Sequence, residues 1–437
     1  MKLTILTPTI FFFVVTIGLD AAQASKQSFS GVTNSYKQSG AVASDPKLVL
    51  LSGAYSGDFS VLSFDPSTNK LSNLTSTRAA GTGPSWATWD ASANVYVADD
   101  SASVSSASLH HFTWDASRRR LTPLDTGKSG LKGTVQITRS KARGSVCLYA
   151  AGYAARAISS QALQSGKATF KSTMPLRQTF SGSGPDKARQ DQSRPHQAID
   201  SPDGRFVYAP DLGTDSVHVF SLDDASSCTL TRLPEVKVAP GDGPRHMSFY
   251  VDGAHNTTYA YLVTELSGTI RAYKVNSSSG NLELIGSPLN VHLGASSGRR
   301  RVTNHKDGVQ PSEPMVSPDG RFVYVANRHL PHNGNGPGDE DAIALFERDS
   351  RTGFLRGPVA SYQSGGRNPR HASLSPDKQG SFIAVANQAD DSSPQLGNSL
   401  AILKRNATDG SLKMVVAWPN VTGAAFAGWW TGVESSE

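Results

Sequence analysis

Cysteine is nearly absent from this chain, with two residues, Cys147 and Cys228, among 437. That count excludes a disulfide scaffold, and neither residue has neighbours that suggest a zinc site or a thiol nucleophile. Cys147 sits in the strand-like run Val146-Cys147-Leu148-Tyr149 and Cys228 near an outer strand, so a bridge and two separate buried thiols both remain open. Long apolar runs are scarce too. Beyond Leu19 no stretch is long enough to span a bilayer, so no transmembrane segment is expected, nor a C-terminal lipid anchor. Charge of one sign is also sparse: the net charge of +6 is small for this length. The runs Arg118-Arg119-Arg120 and Arg299-Arg300-Arg301 read as solvated loop charge, with anionic polysaccharide or substrate as the alternative. No aromatic interleaving accompanies them, so nucleic acid is not an expected partner. No metal site and no cofactor are expected.

What the chain does have is repetition. Ser201-Pro202-Asp203-Gly204-Arg205-Phe206-Val207 returns as Ser317-Pro318-Asp319-Gly320-Arg321-Phe322-Val323, and a degraded copy begins at Ser375-Pro376-Asp377. Each copy specifies a polar-rimmed strand, a tight Pro-Asp-Gly turn and an aromatic, β-branched strand. A third strand follows, such as Val217-His218-Val219-Phe220, and a weaker fourth, such as Leu230-Thr231-Arg232-Leu233. Four-stranded units at this spacing bury their faces only by stacking on one another, which makes the fold all-β: a seven-bladed β-propeller of four-stranded antiparallel blades over residues 47–437. The first blade starts near Lys47 and the others near Gly83, Gly133, Arg194, Gly243, Glu313 and Asn368. The first lacks an obvious first strand. The tail Ala424-Ala425-Phe426-Ala427-Gly428-Trp429-Trp430 either supplies it, closing the ring, or covers the last blade.

The N-terminus indicates export. Lys2, an apolar run from Ile10 to Leu19 and Ala22-Gln23-Ala24 make residues 1–24 an expected signal peptide, with 25–46 as an extension. Sequons at Asn73, Asn256, Asn276, Asn406 and Asn420 fit a secreted glycoprotein, extracellular or in a cell wall.

Topology locates a candidate site. The start of each first strand and the end of each second strand share one mouth near the axis. Starts present His196, Arg245 with His246, Glu313, and Arg370 with His371; ends present Leu212, Glu265, Arg328 and Gln388. Two fixed cations beside two proton carriers suit a small carboxylated or phosphorylated molecule, although channel polars can also serve only to satisfy backbone groups.

The phrases RPHQAIDSPDGRFVYAPDLGTDSVHVF, GPRHMSFY, VTELSGTI, SEPMVSPDGRFVYVANR and NPRHASLSPD resemble the lactonase family of seven-bladed propellers, which includes 6-phosphogluconolactonase and fungal carboxymuconate cyclase. The resemblance is strongest from Arg194 to Gln388. It implies catalytic roles for His196, Arg245, Glu265 and Arg328, with substrate-binding roles for Glu313, His246, Arg370 and His371. The implied substrate is a small anionic lactone or its open-chain acid, cyclised or hydrolysed without a metal. A rival reading is a catalytically weak surface glycoprotein whose partners are cell-wall polysaccharide or host matrix glycoproteins. Convergence of the four residues in one open pocket, as against plugging by the loops from Gly294 and His329, separates the two.

Overall fold

The computed structural model describes residues 47–101, 108–140, 144–164, 168–170, 174–292, 309–328, 341–388, 400–419 and 421–431. The expected signal peptide and extension, the sequon at Asn420, the Arg299-Arg300-Arg301 run and the loops from Gly294 and His329 lie outside them.

Among the described residues there is no helix, and twenty-eight strands form seven four-stranded antiparallel sheets. Six blades use consecutive strands. The first instead takes its innermost strand from the other end of the chain: β28 (Ala424–Trp429) pairs antiparallel with β1 (Leu48–Ala54). Of the two readings of the apolar tail, ring closure is the one observed.

Inner strands are buried on both faces. All six residues of β13 (Phe206–Asp211) are buried, and the period-two alternation divides them between two neighbours. Phe206 and Tyr208 pack with Met247, Ala260 and Leu262 of the following blade. Val207 and Ala209 pack with Tyr149 and Ala151 of the preceding one. Seven such apolar clusters occur, one between each pair of adjacent blades; the cluster joining Leu50 and Phe64 to Phe382 and Ile402 seals the ring. Outermost strands such as Lys70–Thr77 are largely exposed or half-buried, with Leu71 alone buried there, as packing at the rim of a blade requires.

The recurring phrase is a blade-to-blade clasp. The Ser201 and Ser317 hydroxyls accept hydrogen bonds from the Phe206 and Phe322 amides at 3.1 and 3.0 Å, fixing the turn. Two residues on, the Tyr208 and Tyr324 hydroxyls donate to the Gly280 and Gly410 carbonyls of the next blade, each at 2.8 Å. Gly410 has φ of +76° and lies against the Phe322 ring, where a Cβ would stand 2.7 Å from Cδ1. Only glycine meets both demands.

Cys147 and Cys228 form a disulfide across blades three and four, with Cα atoms 5.5 Å apart. Asn73, Asn256 and Asn406 are exposed and Asn276 is half-buried. Asn256 lies in a turn, whereas Asn73 lies on an outer strand.

Candidate functional site

Every blade carries one extra residue at the mouth end of its innermost strand. Register slips by one between Pro244 and Met247 in β16 (Pro244–Asp252), between Pro311 and Glu313 in β20 (Gln310–Val316) and between Pro369 and His371 in β24 (Pro369–Leu374). Comparable slips occur in the first, second and third blades. In the fourth, the bridge Pro195 to Asp211 and the pair Ile199 to Tyr208 span four residues against three. A bulge re-aims the side chains it contains. Here Arg245 and Arg370 lie within it.

Glu265, just past β17 (Thr257–Thr264), is the hub. Its buried carboxylate pairs with Arg245 Nε at 3.0 Å, Arg328 Nη2 at 2.7 Å and Arg189 Nη2. Arg328 Nε donates to the Gln310 carbonyl at 3.2 Å and Arg245 Nη1 to that of Ser312. Burial alone would raise the Glu265 pKa; Arg328, Arg189 and Arg245 overcome it and hold the group well below the carboxylate range. Glu265 is a fixed anion that accepts hydrogen bonds from Arg189 and Arg328 and pairs with the charge of Arg245.

Arg189 comes from the segment between blades three and four, which is pinned. Gln190 Nε2 donates to the Leu212 carbonyl and to Asp215 Oδ1, both at 2.8 Å, and Gly213 leaves room for the Gln192 carbonyl, which a Cβ would meet at 1.8 Å.

Beside this hub lies a cavity of about 370 Å³ lined by Arg189, Arg328, Arg370, His196, Glu265, Tyr153 and Asp100, among others. Arg370 is 3.9 Å from Asp100 and sits over the Tyr55 ring, and the Tyr55 hydroxyl donates to Asp100 at 2.6 Å. Burial opposes the Arg370 charge, yet Tyr55, Asp100 and Glu265 outweigh it and hold its pKa up. Burial pushes the Asp100 pKa up.

Behind His196 runs a chain of imidazoles. His196 Nδ1 is 3.0 Å from His246 Nε2, and His246 Nδ1 is 2.6 Å from Glu313 Oε2. Burial and the Arg245 charge hold both rings well below the usual histidine range. His371, held to a pKa of about 3 by burial, accepts from the Ala427 amide of the closing strand at 3.2 Å. Among the described residues no cluster of three or more His, Cys, Asp or Glu is arranged to hold a metal ion.

The seven-bladed β-propeller lactonase family matches residues 49–427. The chain belongs to that family. The 6-phosphogluconolactonase of Formosa agariphila is 31% identical over 239 residues, covering 54% of this chain and 57% of that protein. The 6-phosphogluconolactonase of Bacillus subtilis is 30% identical over 234 residues, covering 54% and 56%. The chain thus spans little more than half the length of these relatives. The periplasmic gluconolactonase of Pseudomonas aeruginosa superimposes with a TM-score of 0.70 at 23% identity, over 88% of this chain and 99% of that one, which speaks for the fold.

In this lactonase-family propeller, His196, Glu265, Arg328 and Arg370 reach the cavity, whereas Arg245, His246, Glu313 and His371 stand buried behind it. Register reasoning missed Tyr55, Asp100, Tyr153 and Arg189. The first three were within its reach. Each follows the last residue of its blade's second strand (Ala54, Asp99, Gly152), as Glu265 follows Thr264, so extending the same rule to blades one to three finds them. Arg189 has no repeat position, and its only signal was the irregularity of its segment.

Proposed function

We propose that this protein hydrolyses a small lactone bearing a carboxylate or phosphate, at the mouth where His196 faces a ring of guanidiniums. The observation that carries the reading is the charge imbalance of one cavity: Arg189, Arg328 and Arg370, with Arg245 behind, against the carboxylates of Glu265 and Asp100. Such a site favours an anion. Its volume of about 370 Å³ is in the range of small-ligand pockets, and the relatives named 6-phosphogluconolactonase support the substrate class.

Neutral His196 takes a proton from water, whose oxygen bonds to the lactone carbonyl carbon. A guanidinium stabilises the resulting oxyanion, and collapse breaks the ring carbon–oxygen bond, the departing oxygen regaining the proton. Glu265, whose pKa three arginines hold well below the carboxylate range, keeps those cations in place and is not the base. No step requires a metal. Export is part of the proposal: the Cys147–Cys228 bridge suits an oxidising compartment, and Asn73, Asn256 and Asn406 are accessible to glycan. Secreted protein is expected to begin near Ser25 and to shrink with endoglycosidase; an intact Met1 start would count against it.

The test is a screen of aldonolactones, their phosphates and muconates, reading binding and turnover. Arg370→Ala should weaken anion binding by about 1.5 to 3 kcal/mol, roughly ten- to a hundredfold, and His196→Gln should abolish turnover while retaining binding. If nothing binds, and Arg370→Ala attaches to cell-wall or host-matrix glycoproteins as the wild type does, the surface-glycoprotein reading replaces this one.

A further inference from the structure

We propose that Glu313, His246 and His196 form a proton relay joining the cavity to solvent, so that His196 takes up and returns a proton through two imidazoles and a distant carboxyl group. This rests on the lactonase reading for its use in catalysis, though not for its existence. Three successive blades supply one member each, in hydrogen-bond contact throughout, at 3.0 and 2.6 Å: His246 and Glu313 hold the same position two residues past the mouth proline, and His196 the position directly after its own, Pro195. His196 lines the cavity, and its Nδ1 is committed to His246, leaving Nε2 for the cavity side. At the far end the Glu313 side chain keeps a tenth of its surface exposed, while His246 has 1%. The Trp86 ring stands edge-on to His246 at 5.3 Å and excludes water from the middle of the chain.

The surroundings explain why a relay is needed. Arg245 acts on all three members; Arg328, Arg370 and Glu265 face His196, and His371 neighbours His246. Burial first, and then the cations nearby, strongly disfavour an imidazolium at either ring. A relay never forms one. With Glu313 ionised, His246 donates Nδ1–H to it and accepts at Nε2 from His196 Nδ1–H, so His196 Nε2 is a bare lone pair. Water gives its proton to that nitrogen, His196 Nδ1–H passes to His246 Nε2, and His246 Nδ1–H passes to Glu313 Oε2. Both rings end neutral as Nε2–H tautomers, and the only charge lost is that of Glu313. When the ring oxygen leaves, the same steps run backwards.

Burial pushes the Glu313 pKa up to about 8. Ionisation there should therefore set both tautomers. Histidine-nitrogen NMR of the isotope-labelled, full-length wild type across that pH is expected to show His196 and His246 switching together from Nε2–H to Nδ1–H as the pH rises. Glu313→Gln should freeze both rings and Glu313→Asp should retain the switch. In turnover, Glu313→Gln should lower kcat about a hundredfold or more with little change in KM, and remove the rise of kcat through pH 8. Rings that hold fixed tautomers in the wild type, titrate independently, or switch unchanged in Glu313→Gln would overturn the relay. A coupled switch in a protein that turns over no lactone would leave the relay standing and refute the lactonase reading alone.

Discussion

Replacing Glu265 by glutamine tests the central electrostatic claim, because it removes one negative charge and almost no volume. The carboxylate is 2% exposed, and its partners Arg245, Arg328 and Arg189 are 1%, 8% and 23% exposed. Without it three guanidiniums converge on a neutral amide, and one of them, Arg245, has almost no access to water. Removing one partner of a buried ion pair costs about 3 to 5 kcal/mol. At about 2.1 cal/mol/K per residue, the Asp45–Glu437 unit has an unfolding entropy of roughly 0.8 kcal/mol/K, so Tm should fall by about 4 to 6 °C. The assay is thermal unfolding at neutral pH and low ionic strength, repeated with added inorganic phosphate. Phosphate is expected to restore part of the loss in the variant by neutralising the same arginines. The pH dependence supplies a sign. A carboxylate held below its ordinary value of 4.5 contributes stability that is complete above that pH and disappears as acid protonates it. Wild type should therefore lose stability on acidification, and its advantage over Glu265→Gln should shrink below pH 4.5. A loss under about 1 kcal/mol, the scale of an exposed pair, with no phosphate response, would refute the reasoning and show that solvent screens these charges.

Gly410→Ala, which places a Cβ at positive φ against Phe322, should destabilise by about 1 to 3 kcal/mol in urea titration. A chain ending at Gly423 loses β28, the innermost strand of the first blade, and is expected not to yield a cooperatively unfolding monomer by calorimetry. Double replacement of Cys147 and Cys228 by serine opens a bridge between residues 81 apart; the chain-entropy relation gives about 4.5 kcal/mol, read from the urea midpoint of oxidised wild type against the variant.

The fold was legible because its instructions are local and repeated. Ser-Pro-Asp-Gly followed by an aromatic and β-branched run states turn and strand within seven residues, and its return, with a degraded third copy, states the period. The mouth was legible for the same reason, since antiparallel connection alone places His196, Arg245, Glu265 and Arg328 at one end of the sheets. Three matters rested on contacts that local sequence does not encode. Whether Ala424–Trp429 pairs with Leu48–Ala54 depends on packing between the two ends of the chain. Which polar residues meet the cavity depends on the extra residue at each mouth, invisible in a period-two pattern, which leaves Arg370 facing the ligand space and Arg245 and His246 behind it. The role of Glu265 depends on how many cations reach it. A glutamate beside one arginine can still serve as a base near neutral pH, but one facing three, including Arg189 from a segment outside the repeat, holds its charge and gives it up only in acid. Sequence thus determined the blades and the rim; the distances across the axis, which no local spacing contains, decided what each rim residue does.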